Sequence, residues 1–146
     1  MYDLWSAYGR STPVNMSVAS GVTVLSAPPT PGEASGTLPL RVTAFDRLSG
    51  NVTISFDPAC GSTDHTLYTG NLSSVASLAI TQRSCNRGVS GTTTFNPGPG
   101  SYFWMIVGND GVKEGSYGTN RAGIERPEDS GASACNLPQS LAARCD

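Results

Sequence analysis

Charge is scarce in this chain. Its 146 residues carry nine basic and eleven acidic groups, a formal net charge of −2, and charged residues make up 14% of the total, against roughly a quarter in an average soluble domain. Lys113 is the only lysine and His65 the only histidine. A nucleic-acid partner requires a cationic footprint, so that class is excluded on charge. Long apolar runs are missing too: the longest, Tyr102 to Val107, is far too short to span a bilayer. The four cysteines form no close C-x-x-C pair and have a single histidine for company, whereas zinc sites usually show tighter cysteine pairs with histidine partners. Phosphate-cradling and dinucleotide motifs are absent, as is a G-x-S-x-G elbow, so no cofactor and no metal are expected. Met1 to Leu4 has neither the basic nor the apolar region of a secretory signal. The expectation is a mature secreted chain, or a fragment of one, already separated from its signal.

Small polar residues and chain breakers fill the space that charge leaves. There are 19 Ser, 14 Thr, 17 Gly and 10 Pro, a composition that favours strands and turns over helices. Cys60, Cys85, Cys135 and Cys145 are even in number. Two disulfides are therefore expected, with three pairings open, in a secreted, extracellular or cell-surface setting.

Three regions follow along the chain. Residues 1–37 form an extended N-terminal segment: Val14, Met16 and Val18 alternate with Asn15 and Ser17, Val22-Thr23-Val24-Leu25 follows, and Ala27-Pro28-Pro29-Thr30-Pro31-Gly32 makes a stiff linker. Residues 38–118 are expected to be a β-sandwich. Its strands are read at Leu40–Phe45, Val52–Phe56, His65–Thr69, Val75–Thr81, Gly91–Phe95 and Ser101–Gly108, separated by turn residues. Residues 119–146 are expected to be an irregular tail closed by a disulfide and lying against the sandwich.

Three stretches resemble strands B, C and F of a fibronectin type III domain: Val52-Thr53-Ile54-Ser55-Phe56-Asp57-Pro58, Asp64-His65-Thr66-Leu67-Tyr68-Thr69-Gly70, and Ser101 through Gly111. The resemblance covers about half the chain. Phe56 stands where that family usually has tryptophan, His65 stands where it has another aromatic, and its members commonly lack disulfides. An immunoglobulin-like relative therefore stays open beside it. Such a fold implies a binding, spacing or adhesive module, without choosing among them. For the cysteines, the strand order of the resemblance implies Cys60–Cys85 and Cys135–Cys145.

Candidate chemistry is thin. Asp64-His65 beside abundant serines does not make a triad, because a triad is a geometry and not a composition. Glu125, Glu128 and Asp129 sit on a Gly/Pro-rich tail and read as a solvated face. Asn109-Asp110-Gly111 with Glu114 has the oxygens a calcium ion takes, but the same residues suit a turn. Sequons at Asn15, Asn51 and Asn71 make candidate glycosylation sites, about as many as chance supplies.

The most informative run is Tyr102 to Val107. Alternation sends Phe103, Met105 and Val107 to one face and Tyr102, Trp104 and Ile106 to the other, and a single sandwich core covers one face only. The second face is expected to be covered by another part of this chain or by a neighbouring copy.

Two functions follow. The first is a non-enzymatic extracellular structural protein, a subunit of a fibre or pilus-like filament. Its partners are copies of itself, and its assembly contacts are Trp5, Val14, Met16, Val18, Val22, Val24, Tyr102, Trp104 and Ile106. The alternative is an accessory carbohydrate- or protein-binding module of a larger secreted protein, with aromatics such as Trp5, Tyr68 or Tyr117 as its platform.

Overall fold

The computed structural model describes residues 40–142. The expectations for Trp5, Val14, Asn15, Met16, Val18, Val22, Val24, the Pro-rich linker and Cys145 lie outside the described residues.

Six strands appear in chain order: β1 (Arg41–Asp46), β2 (Asn51–Ser55), β3 (Asp64–Asn71), β4 (Ile80–Ser84), β5 (Thr92–Phe95) and β6 (Tyr102–Asn109). They form two antiparallel sheets, ordered β1-β2-β5 and β4-β3-β6. The β1–β2 turn is built by Asp46, whose carboxylate accepts from Leu48 N at 2.9 Å and from the Ser49 hydroxyl at 2.6 Å. Gly50 closes that turn at φ 73°, a conformation that a residue without Cβ adopts freely.

Alternation along β2 buries Val52 and Ile54, and Phe56 follows beyond the strand. These three pack against Leu67 of β3 and Ile106 of β6, with Leu40, Phe95 and Trp104 at the margin. The core therefore lies between the two sheets. A second, smaller cluster lies on the opposite face of β4-β3-β6, where Tyr68 and Val107 are buried against Tyr117, with Ile80 and Met105 alongside. The two-faced reading of Tyr102–Val107 is thus met from within the chain for Met105 and Val107: the segment after β6 covers them.

Two expectations are corrected. The strand read at Val75–Thr81 holds only for Ile80 and Thr81, which begin β4; residues 75–77 instead end a 3-10 helix, Leu72–Ser77. The Asn71 side chain caps the helix by accepting from Ser73 N at 3.0 Å, and Leu78 ends it in the left-handed region at φ 51°. Serine carbonyls and hydroxyls close this stretch locally, Ser77 Oγ donating to Ser74 O at 3.0 Å, so its apolar spacing never enters a ladder.

The disulfide pairing also differs. Cys85 is bonded to Cys135, with Cα atoms 5.3 Å apart, so neither Cys60–Cys85 nor Cys135–Cys145 forms. Cys60 is disulfide-bonded as well. The physical reason is lateral position. Cys85 follows β4, an edge strand of the second sheet, and the chain crossing that sheet's outer face delivers Cys135 beside it. Sharing an end of the sandwich does not make two residues neighbours.

Candidate functional site

The C-terminal segment is anchored through a buried polar cluster. Glu114 has no exposed surface. Its Oε2 accepts from the Tyr68 hydroxyl at 2.6 Å and its Oε1 from the Tyr117 hydroxyl at 2.5 Å. The Glu114 backbone is held on both sides, its N–H donating to Pro138 O at 3.2 Å and its carbonyl accepting from Ser140 N at 2.9 Å. Burial pushes the Glu114 carboxyl above its ordinary range, and the two hydroxyls offset this only in part. Burial likewise pushes both phenols up, reinforced by the carboxylate each one meets. They therefore stay protonated donors.

Beside this cluster the Arg83 guanidinium of β4 grips Asp129 with two nitrogens, Nη2 to Oδ1 at 2.7 Å and Nε to Oδ2. Burial alone would raise the Asp129 carboxyl, but Arg83 and the Gly131 N–H hold it below its ordinary value. With Cys85–Cys135, these contacts lay the segment across the outer face of β3 and β6. Tyr68 and Tyr117 are thereby buried, so neither belongs to an exposed aromatic platform.

The other chemical candidates resolve into structure. His65 is fully buried: its Nε2 accepts from Ala59 N at 3.1 Å and its Nδ1 donates to Gly88 O at 2.7 Å. Ser62 Oγ turns to Ala59 O at 2.5 Å. Asp64 accepts from the N–H groups of Asn86 and Gly88 at 3.0 and 2.6 Å. Ser62 Oγ also lies 3.4 Å from His65 Nε2, but that nitrogen already accepts from Ala59 N, and Asp64 is tied to backbone N–H groups and not to His65 Nδ1. Asp110 accepts from Val112 N and Lys113 N at 2.8 and 2.7 Å, and Asn109 Oδ1 from Gly111 N at 3.1 Å. The suspected calcium string is a turn whose Glu114 points into the tyrosine cluster. Among the described residues no three His, Cys, Asp or Glu side chains gather as a metal site requires. Glu125 is not a solvated carboxylate; it accepts from Ser116, Tyr117 N and Gln139. Among the candidate glycosylation sites, Asn71 is exposed at the helix cap and Asn51 half-buried at the start of β2. Among the described residues no helix is long and apolar enough to cross a membrane.

Among the described residues, the remaining site is an open side of the sandwich, between β1 and β6. Both are edge strands of their sheets. Val42 and Phe45 pair with Ile54 and Val52, and so share the core-facing side of the sheet. Yet they are 53% and 59% exposed. At one end of this side, Tyr102 and Trp104 of β6 line the same pocket as Phe45 and Val52, about 550 Å³ in volume, which is otherwise walled by the β1–β2 turn at residues 48–50 and the β5–β6 turn at residues 96–100. Trp104 also meets Phe95 edge-on at 5.6 Å. Of the residues assigned to assembly, Tyr102 and Trp104 are therefore partly exposed at this opening, while Ile106 is 4% exposed in the chain's own core. Sequence reasoning missed Phe45, whose pairing with Val52 becomes visible only with the β1–β2 register.

No family model, curated protein or solved structure matches the chain.

Proposed function

We propose that this chain is a non-enzymatic extracellular structural module that assembles with copies of itself, residues 1–37 of one copy packing on the sandwich of the next. One observation carries this reading: the β1 and β6 edges flank an apolar opening that no described residue fills, where a sandwich would hold one more strand. An apolar patch at a sheet edge is a template for strand addition. Such head-to-tail contacts, repeated, build a filament.

Other features support it. A first-second-fifth sheet against a fourth-third-sixth sheet agrees with a fibronectin type III-like or immunoglobulin-like order up to its sixth strand. Disulfide bonding agrees with an oxidising, extracellular setting. The test is negative-stain electron microscopy and light scattering of the full chain and of a chain lacking residues 1–37. Filaments or oligomers that vanish with the deletion support the reading, and monomers in both samples overturn it.

A second reading is favoured by the pocket itself. Aromatics at Phe45, Tyr102 and Trp104 with Pro97 and Pro99 would seat a sugar ring or a peptide of an accessory binding module. A monomeric full chain that binds immobilised glycans through Trp104 would establish it.

A further inference from the structure

We infer that the opening between β1 and β6 is the seat of an added strand, and that its occupant is Val14-Asn15-Met16-Ser17-Val18 of a second copy. This rests on the assembly reading above and names the two surfaces that meet.

Register decides which backbone groups of β6 face away from β3. Leu72 N donates to Ser101 O at 2.9 Å on the β3 side, and β3 and β6 pair in unbroken antiparallel register from Asp64↔Asn109 to Asn71↔Tyr102. Hydrogen-bonded pairs alternate in such a ladder. Phe103, Met105 and Val107 therefore bond toward β3, and Tyr102, Trp104 and Ile106 turn their N–H and C=O groups the other way. Gly108 follows this rule, its carbonyl accepting from Gly115 N at 2.9 Å. There the returning chain leaves the edge: Glu114 bridges Asn109 and then Gln139, and Tyr117 dives to the outer face. Three residues of β6 are thus left facing a position where no strand of the described residues stands.

Side-chain spacing selects the occupant. A strand beside β6 must present apolar side chains every second residue toward Val42 and Phe45, with small polar ones between. Val14, Met16 and Val18 alternate with Asn15 and Ser17 in this way. Five residues extend about 17 Å, enough to run beside Tyr102, Trp104 and Ile106. Val22-Thr23-Val24-Leu25 has only two alternating apolar positions before the pattern breaks, and the stretch at Pro28, Pro29 and Pro31 lacks the donors. Every residue lining the pocket is uncharged, as is the segment, so no charge is stripped of water on docking. Pro28, Pro29 and Pro31 between the segment and the sandwich favour extended chain, a property that suits reach to a neighbouring copy.

The test places p-benzoyl-phenylalanine at Phe45, an exposed position, in the full chain. Light and heavy-isotope copies are unfolded together with disulfides intact, refolded as an equal mixture, irradiated and mapped by mass spectrometry. Crosslinks to the peptide holding residues 14–18 are expected, about half of them joining a light to a heavy copy, as random head-to-tail pairing requires. A Met16→Asp version should reduce them at least about tenfold by placing a charge in an apolar seat, with the near-ultraviolet circular dichroism of the sandwich unchanged. Crosslinks confined to other peptides, in a sample that still assembles, overturn the seat while sparing the assembly reading. Crosslinks to 14–18 that never join light to heavy overturn the second copy as donor, and the assembly reading with it.

Discussion

The Tyr68 hydroxyl donates a 2.6 Å hydrogen bond to Oε2 of Glu114, a residue 46 positions later in the chain. Through this contact the chain after β6 is folded onto the outer face of the β4-β3-β6 sheet, where Tyr117 completes the cover. The direction taken there has a consequence on the other side. Chain spent on the outer face is not beside β6, and among the described residues nothing covers that edge or the facing side of β1.

Glu114→Ala should be costly, because it strands two buried phenol donors. We expect a loss of about 3 kcal/mol in urea unfolding. The pH dependence is more specific. Burial raises the folded-state pKa of Glu114 above the ordinary 4.5, so the folded protein holds this proton more tightly than the unfolded chain. Its contribution is complete below pH 4.5 and is lost as pH rises from there through the folded value. Glu114→Gln, which keeps the shape and cannot ionise, should remove that slope in a pH series of unfolding curves.

His65 behaves in the opposite sense. Burial depresses its pKa below the ordinary 6.5, although the Gly88 carbonyl and Asp64 pull the other way. Its contribution is complete above pH 6.5 and falls as pH drops from there through the folded value. His65→Gln should flatten stability across that window. In the wild type, nitrogen NMR should find the proton on Nδ1, as the bond to Gly88 O requires.

Replacing both Cys85 and Cys135 by serine opens a link across 50 positions. In the chain-entropy model this costs about 4 kcal/mol. Cys60 keeps its own bond, so the sandwich should persist while the C-terminal segment loosens. The readout is faster amide exchange around Glu114 and Tyr117, with β2 still protected.

Gly70 sits in β3 where a Cβ would run into the Ala79 carbonyl oxygen and the Phe103 ring. Gly70→Ala should cost about 1–3 kcal/mol by overpacking, seen as a lower unfolding midpoint with an unchanged denaturant slope.

Much of the sandwich was legible because alternation is a local signal. Val52 and Ile54 announce a strand with one buried face, and the β6 run announces that both its faces need cover, which the chain after β6 supplies on one of them. The 3-10 helix was not legible: Val75 and its neighbours share strand spacing, and only the Asn71 cap and the turn at Leu78 decide otherwise. The disulfide needed lateral position as well as strand direction. Glu114 stood out in the sequence only as an oxygen beside Asn109-Asp110-Gly111; its burial carried no signal, since an acidic residue in a polar, glycine-rich stretch reads as exposed. Only the two tyrosines brought to it explain its burial.

The most direct test of strand addition is residue-resolved hydrogen exchange on β6, comparing the full chain with the chain lacking residues 1–37. The amides of Phe103, Met105 and Val107 should be protected in both, because β3 holds them. Those of Tyr102, Trp104 and Ile106 should be protected in the full chain and exchange freely in the shortened one. Equal exchange of these three amides in the two proteins would contradict the account.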